Sequence, residues 1–278
     1  MWIELDEELA RHFSGDTAFD ELMACEGEKF RHVKTRRTLK FERGGKNYFI
    51  KIHRAIGWHE VWKNWLGFKR PVTSARMEWM AIDRLQELGV PTLNVVGRGI
   101  RGKAPAHEES FVVTEALEGM ISLDQLTQNW GSLPPSQRLA LKRELIRQVA
   151  TIARTIHRNG LNHRDFYLCH FLVKDRDWNE WQPADSLMLH VIDLHRMQHR
   201  PAVPERWWVK DVAGVLFSAL DCDLTRNDLL RFIKIYWDGS VRELLGERQG
   251  VLQKIYLKAC KLYASIHDRE APDPVAKS

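Results

Sequence analysis

The chain lacks any apolar run of about 18 residues, so no segment reads as a transmembrane helix. It is also poor in cysteine, with four in 278 residues: Cys25, Cys169, Cys222 and Cys260. They are too scattered for a metal-ligand pattern or a disulfide framework, and a reducing cytoplasm is the expected compartment. The first residues, Met1 to Glu8, are acidic and lack the basic-then-apolar order of a secretory signal. There is no internal repeat, no low-complexity stretch and no Gly-x-Gly-x-x-Gly run. Neither sign of charge dominates: 42 basic against 37 acidic residues leave a net charge of +5. That balance mildly favours anionic partners such as a nucleotide, a phosphorylated substrate, an anionic membrane or an acidic protein, and does not imply nucleic acid. Hydrophobic residues at 44% and charged residues at 28% suit a globular protein. The length suits one large domain or two lobes.

Residues 1–30 read as a helical or irregular lead-in. Residues 35–53 then alternate, with Leu39 and Phe41 on one run and Tyr48, Ile50 and Ile52 on the next, around Gly44-Gly45; this is a hairpin pattern. Lys51 lies between Ile50 and Ile52. By itself it reads equally as a solvent-facing strand lysine. Trp58, Trp62, Trp65 and Phe68 follow at spacings of four, three and three, one helical face, closed by Pro71. Ser74 or Thr73 caps a helix expected over 75–88, ended by Gly89 and Pro91. Glu78 falls in its first turns, where a carboxylate also complements the helix dipole. Strands are expected over 93–100 and 111–117, the second running into Glu115-Ala116-Leu117-Glu118-Gly119. From Pro135 a helix with apolar residues Leu139, Leu145, Ile146, Val149, Ile152 and Ile156 continues to Asn159-Gly160.

The most informative stretch comes next: His163-Arg164-Asp165-Phe166-Tyr167-Leu168-Cys169-His170, leading into the apolar strand 171–173. Kinase-like phosphotransferases place His-Arg-Asp-x4-Asn in such a loop, the Asp acting on the attacking hydroxyl and the Asn holding a metal ion. A second apolar run, 187–195, ends at Asp193, where a metal-binding aspartate or a turn-capping one would sit. Asp211 opens a buried helix over 210–220, and 225–268 is helical.

Strand Lys51, helix Glu78, loop Asp165 and strand-end Asp193 occur in kinase order. On these motifs, and on the 43–51 hairpin and the aromatic segment before Glu78, nearly the whole chain resembles the lipopolysaccharide core heptose kinase family. The resemblance implies an α+β, protein-kinase-like two-lobed fold. A β-rich N-lobe with a five-strand sheet would cover 1–118, and a helical C-lobe 119–278. It implies ATP and Mg2+ as cofactors and a lipopolysaccharide core glycolipid as acceptor, reached from the cytoplasm by peripheral contact with the inner membrane. Acyl carrier protein is allowed as a partner. Lys51 would hold the α- and β-phosphates and Glu78 would hold Lys51, with Glu115 and Leu117 at the adenine-binding hinge. Asp165 and Arg164 would be catalytic. Asp193 and His170 would be metal ligands, with His170 standing where other kinases have Asn. Asp211 would support the catalytic loop, and 27–34 would cover the phosphates.

Eighteen positions separate Asp193 from Asp211, too few for a long activation segment, so a sugar or glycolipid hydroxyl is expected rather than a protein. A kinase for another core sugar, octulosonic acid, and a non-catalytic nucleotide- or glycolipid-binding module are the alternatives. The Trp58–Phe68 face, with Arg54, Lys63, Lys69 and Arg70 nearby, either docks on the membrane or packs into the first lobe.

Overall fold

The computed structural model describes residues 1–33, 36–55, 74–104 and 106–276. The aromatic stripe Trp58–Trp62–Trp65–Phe68 lies outside them. The chain divides into two compact units. The first comprises Met1–Gln86, Thr92–Glu118 and Leu194–Arg196; the second comprises Glu87–Pro91, Gly119–Asp193 and Met197–Ser278.

The first unit is built on an antiparallel sheet of β1 (Trp2–Leu5), β2 (Glu28–Val33), β3 (Arg36–Arg43), β4 (Lys46–His53), β5 (Val95–Arg101) and β6 (Glu109–Glu115). The order across it is β1-β5-β6-β4-β3-β2. The β3–β4 hairpin turns at Gly44 and Gly45, both with positive φ (58° and 78°), which two-residue hairpin turns require and glycine supplies without steric cost. Alternation then does the rest. Leu39, Phe41, Tyr48, Ile50 and Ile52 all face one side. There they join Leu9 of α1 (Glu7–Ala10) and Phe19, Leu22 and Met23 of α2 (Ala18–Met23) in one buried cluster. On the opposite side Val112 packs with Ala75 and with Trp79 of α3 (Arg76–Glu87). The start of α3 is held by oxygen acceptors: Ser110 Oγ accepts from Ala75 N at 3.0 Å and Ser74 Oγ accepts from Arg76 N at 3.1 Å.

The sheet thus has six strands, not five, and the lead-in is not merely helical or irregular. The two strands of the lead-in, β1 and β2, escape a periodicity reading for local reasons. Strand β1 is only four residues long and gains its partner, Gly97 to Ile100, from far along the chain. Strand β2 is an edge strand with a bulge between Lys29 and Arg31, and its Glu-Lys-x-Arg-His composition is that of a protected edge rather than a buried strand.

In the second unit, the short strands β7 (Met120–Ser122), β9 (Phe171–Lys174) and β10 (His190–Val191) pair antiparallel in the order β10-β9-β7. Strands β8 (Leu161–Asn162) and β11 (Gln198–His199) make a second small pair. The described helices are α4 (Leu123–Asn129), α5 (Pro135–Arg158), α6 (Glu205–Ala219), α7 (Arg226–Trp237), α8 (Val241–Glu247) and α9 (Gln249–His267). Helix α5 buries Leu141, Leu145, Val149, Ile152 and Ile156, whereas Leu139, in its first turns, stays 42% exposed. At its end Gly160 adopts φ 78°, and a Cβ there would lie 1.8 Å from the Arg200 carbonyl oxygen. Only glycine allows β8 to leave the helix and lie directly against the Arg200 backbone.

Candidate active site

In the first unit, the period of two that buries Ile50 and Ile52 sends Lys51 to the α3 side of the sheet. There its Nζ lies 2.5 Å from Glu78 Oε1. Glu78 is only 2% exposed, and its Oε2 makes no hydrogen bond among the described residues. The Lys51 side chain keeps 26% exposure, and its ammonium is aimed by the glutamate. The Glu115 carboxylate accepts from Asn94 Nδ2 at 2.7 Å, and Ala116 N donates to Asn47 O at 3.0 Å. The Glu115 side chain is thereby committed to the strand ends. Any hinge contact from Glu115 and Leu117 falls to their backbone groups, and among the described residues Leu117 N–H has no backbone acceptor. Most of 27–34 is strand β2, and Gly27 is small because a Cβ there would lie 2.1 Å from Lys40 O.

His53, two residues beyond Lys51, is buried on the same strand. Burial, then the charges of Arg36 and Lys51 and the nearby His195, push its pKa down to about 3. An unfolded histidine titrates near 6.5, so between about pH 6.5 and 3 the unfolded chain takes up a proton that the folded chain refuses. Stability is expected to fall as pH falls through that window, by at most about 1.4 kcal/mol per pH unit from this group. Urea titrations at pH 7 and pH 4.5 should show a smaller acid loss in His53→Asn than in wild type. Equal losses would show that His53 is not the group responsible.

In the second unit, the catalytic-loop candidates hang from one buried carboxylate. Asp211 on α6, 1% exposed, accepts from His163 N at 2.6 Å and from Arg164 N at 2.8 Å. Its Oδ2 also lies 3.3 Å from His157 Nε2, and His157 Nδ1 lies 2.8 Å from the Tyr236 hydroxyl on α7. These amide bonds hold Arg164 at φ 77°, an uncommon conformation for a residue with a Cβ. Asp165 follows at once, its side chain 16% exposed, with Lys210 Nζ 4.0 Å from its Oδ1. Lys210 also donates to Arg164 O at 2.5 Å. His163 is wholly buried; burial lowers its pKa against the opposing pull of Asp211 and the Ile192 carbonyl. It is therefore neutral, and its Nε2–H donates to Ile192 O at 3.0 Å, tying the loop to the residue before Asp193.

Asp193 has φ 61° and is 29% exposed at its side chain. His170 Nδ1 lies 2.7 Å from Asp165 O, and its Nε2 lies 3.6 Å from Asp193 Oδ2. Burial pulls the His170 pKa down, but Cys169, the Asp165 carbonyl and Asp193 outweigh it and raise it to about 9. His170 thus stands between the Asp165 carbonyl and the Asp193 carboxylate. Asp193 keeps a carboxylate suited to magnesium, an ion that takes one or two carboxylates and completes its shell with water and phosphate oxygens. Among the described residues there is no group of three or more histidines, cysteines or acids that could hold a metal ion.

Sequence reasoning did not find Lys210, His157 or Tyr236. Lys210 is visible only as the neighbour of Asp211, and the other two lie on helices whose faces meet only in the fold. The described residues include no helix long and apolar enough to cross a membrane.

Residues 20–236 match the lipopolysaccharide kinase (Kdo/WaaP) family. The chain is 46% identical to the lipopolysaccharide core heptose(I) kinase WaaP of Pseudomonas aeruginosa, over 95% of this chain and 96% of the relative. It is 42% identical to the protein of the same description in Escherichia coli K12, over 92% and 95%. A solved structure described as WaaP in complex with acyl carrier protein superposes with a TM-score of 0.79 at 41% identity, covering 95% of this chain and all of that one. Matched along nearly its whole length and carrying a kinase-like α+β fold, the chain belongs to the lipopolysaccharide kinase (Kdo/WaaP) family.

Proposed function

We propose that this protein transfers the γ-phosphoryl group of ATP to a heptose hydroxyl of the lipopolysaccharide inner core. The observation that carries the reading is the Lys51–Glu78 contact of 2.5 Å, an ammonium aimed by a buried acid. Relatives described as heptose(I) kinases over nearly the full length supply the acceptor class. Lys51 binds α- and β-phosphate oxygens, and the backbone around Glu115 and Leu117 takes the adenine edge. Asp165 orients the acceptor hydroxyl and receives its proton, while Lys210 steadies the carboxylate. Asp193 holds magnesium, which when bound neutralises phosphate charge as it shifts toward the leaving group. His170, engaged with the Asp165 carbonyl and Asp193, orients that carboxylate.

The reaction takes place at the cytoplasmic face of the inner membrane, on a lipid-anchored acceptor. Acyl carrier protein is the partner. Two observations support it: the solved relative in complex with such a protein, and an apolar cavity of about 480 Å³ inside the second unit. Leu145, Val149, Leu216, Phe232 and Leu252 line it, and its size is that of a small-molecule pocket, suited to an acyl chain.

A binding module without turnover would have no need of an acid aimed at Lys51 or a base at position 165. Release of ADP separates the two. Adding a dephosphorylated, heptose-bearing core acceptor to enzyme, ATP and magnesium is expected to raise ADP release at least about tenfold over the acceptor-free rate, since water is a poorly positioned substitute. No ADP release with or without the acceptor would favour the binding module.

A further inference from the structure

We infer that Phe30 and Phe49 form an aromatic corner that holds the base of the nucleotide against the Lys51 face of the first unit's sheet. The inference rests on the nucleotide reading of Lys51 given above and adds the side chains that grip the base. Leu39, Tyr48 and Ile50 turn into the buried cluster with α1 and α2. Alternation therefore sends Phe49 to the opposite face, the one that carries Lys51. Phe49 is half-buried there, and two residues of strand, about 7 Å, separate it from Lys51. On the neighbouring strand it pairs with Thr114, the residue before Glu115. It thus lies between the cation and the backbone groups assigned to the adenine edge. A base on the ring, phosphates at the ammonium and the ribose between them fit that order.

Phe30 completes the corner. Lys29 pairs with Leu39 and Arg31 with Thr38, so Phe30 is the extra residue of the β2 bulge. Bulges re-aim a side chain, and the Phe30 ring lies 5.1 Å from that of Phe49, at 71°. The contact puts Phe30 on the Lys51 face. Its side chain is nevertheless 57% exposed, anchored along one edge and open over most of its surface. A lone exposed aromatic needs no explanation. A ring set by a bulge at an angle to a second ring, on the face that carries Lys51, is a surface shaped for a flat partner. Stacking tolerates any base, since each has a π-face, so the corner supplies affinity while the backbone near Glu115 and Leu117 reads the base edge. The 27–34 segment thus covers the base with a side chain, where a glycine-rich loop covers phosphates with backbone.

The test compares two ligands of the full chain by titration calorimetry: ATP with magnesium, and tripolyphosphate with magnesium, which has phosphates and no base. Phe30→Ala should weaken ATP about tenfold, the scale of one stacked base, and leave tripolyphosphate unchanged. Phe30→Leu, which keeps apolar bulk without a π-face, should lose most of the same affinity, and Phe30→Tyr should keep it. Equal melting temperatures of the free variants check that the exposed substitutions leave the fold intact. Lys51→Met should weaken both ligands. If it weakens neither, the phosphate reading of Lys51 fails, while the ATP affinities of the Phe30 variants still judge the corner. Unchanged ATP affinity in Phe30→Ala, full affinity in Phe30→Leu, or an equal loss for both ligands would overturn the inference.

Discussion

Asp165→Asn should lower turnover by roughly 10²- to 10⁴-fold, the usual worth of a positioned general base. The amide has the shape of the carboxylate and nearly none of its basicity. The fold should survive, because the loop does not hang on this side chain. The amides of His163 and Arg164 are held by Asp211, and His170 bonds the Asp165 backbone carbonyl, which the substitution leaves in place. Nucleotide-induced stabilisation should therefore persist in the variant. Near wild-type kcat in Asp165→Asn would remove the residue from the role assigned to it.

Lys51→Met should abolish measurable transfer and also destabilise the first unit. The loss of activity follows from removing a phosphate-binding cation, a contact of a kind typically worth about 10²- to 10³-fold where charge shifts in the reaction. The loss of stability has a separate cause: Glu78, 2% exposed, loses the cation it faces. Stranding one member of a buried pair costs about 3–5 kcal/mol, and the partial exposure of Lys51 sets the expectation nearer about 2–3 kcal/mol. Adding Glu78→Leu should recover much of that stability, because an apolar side chain needs no partner, and should recover no activity. Recovery of both would mean that the pair is structural and that the phosphates bind elsewhere. No change in urea midpoint in the single variant would mean that the contact is not formed in solution.

The parts of this architecture legible in the sequence are those set by local rules. The β3–β4 turn is written in Gly44-Gly45, and the sidedness of Lys51 follows from its place between Ile50 and Ile52. The α3 start is written in Ser74, so Glu78 can be placed one turn inside it. The long apolar stripe of α5 and the stop at Asn159-Gly160 are equally local. What escaped depends on partners distant in sequence. Strand β1 is a strand because β5 is there to pair with it. His157, Tyr236 and Lys210 become neighbours of the loop only when α5, α6 and α7 pack. The histidine at 170 shows the same limit: its spacing from Asp165 places it in the loop, and only the fold shows that its two nitrogens face the Asp165 carbonyl and Asp193. A motif spacing fixes where a residue lies along a loop, but the hydrogen-bond partners decide what its nitrogens can do.

The most direct test of the central claim is mass spectrometry of a purified, dephosphorylated heptose-bearing core acceptor after incubation with wild-type protein, ATP and magnesium, with fragmentation to place any added group. The expected result is a single added phosphoryl group located on a heptose, formed far more slowly with Asp165→Asn. An unchanged acceptor mass despite nucleotide binding, or a phosphoryl group found on the octulosonic acid instead, would contradict the assignment.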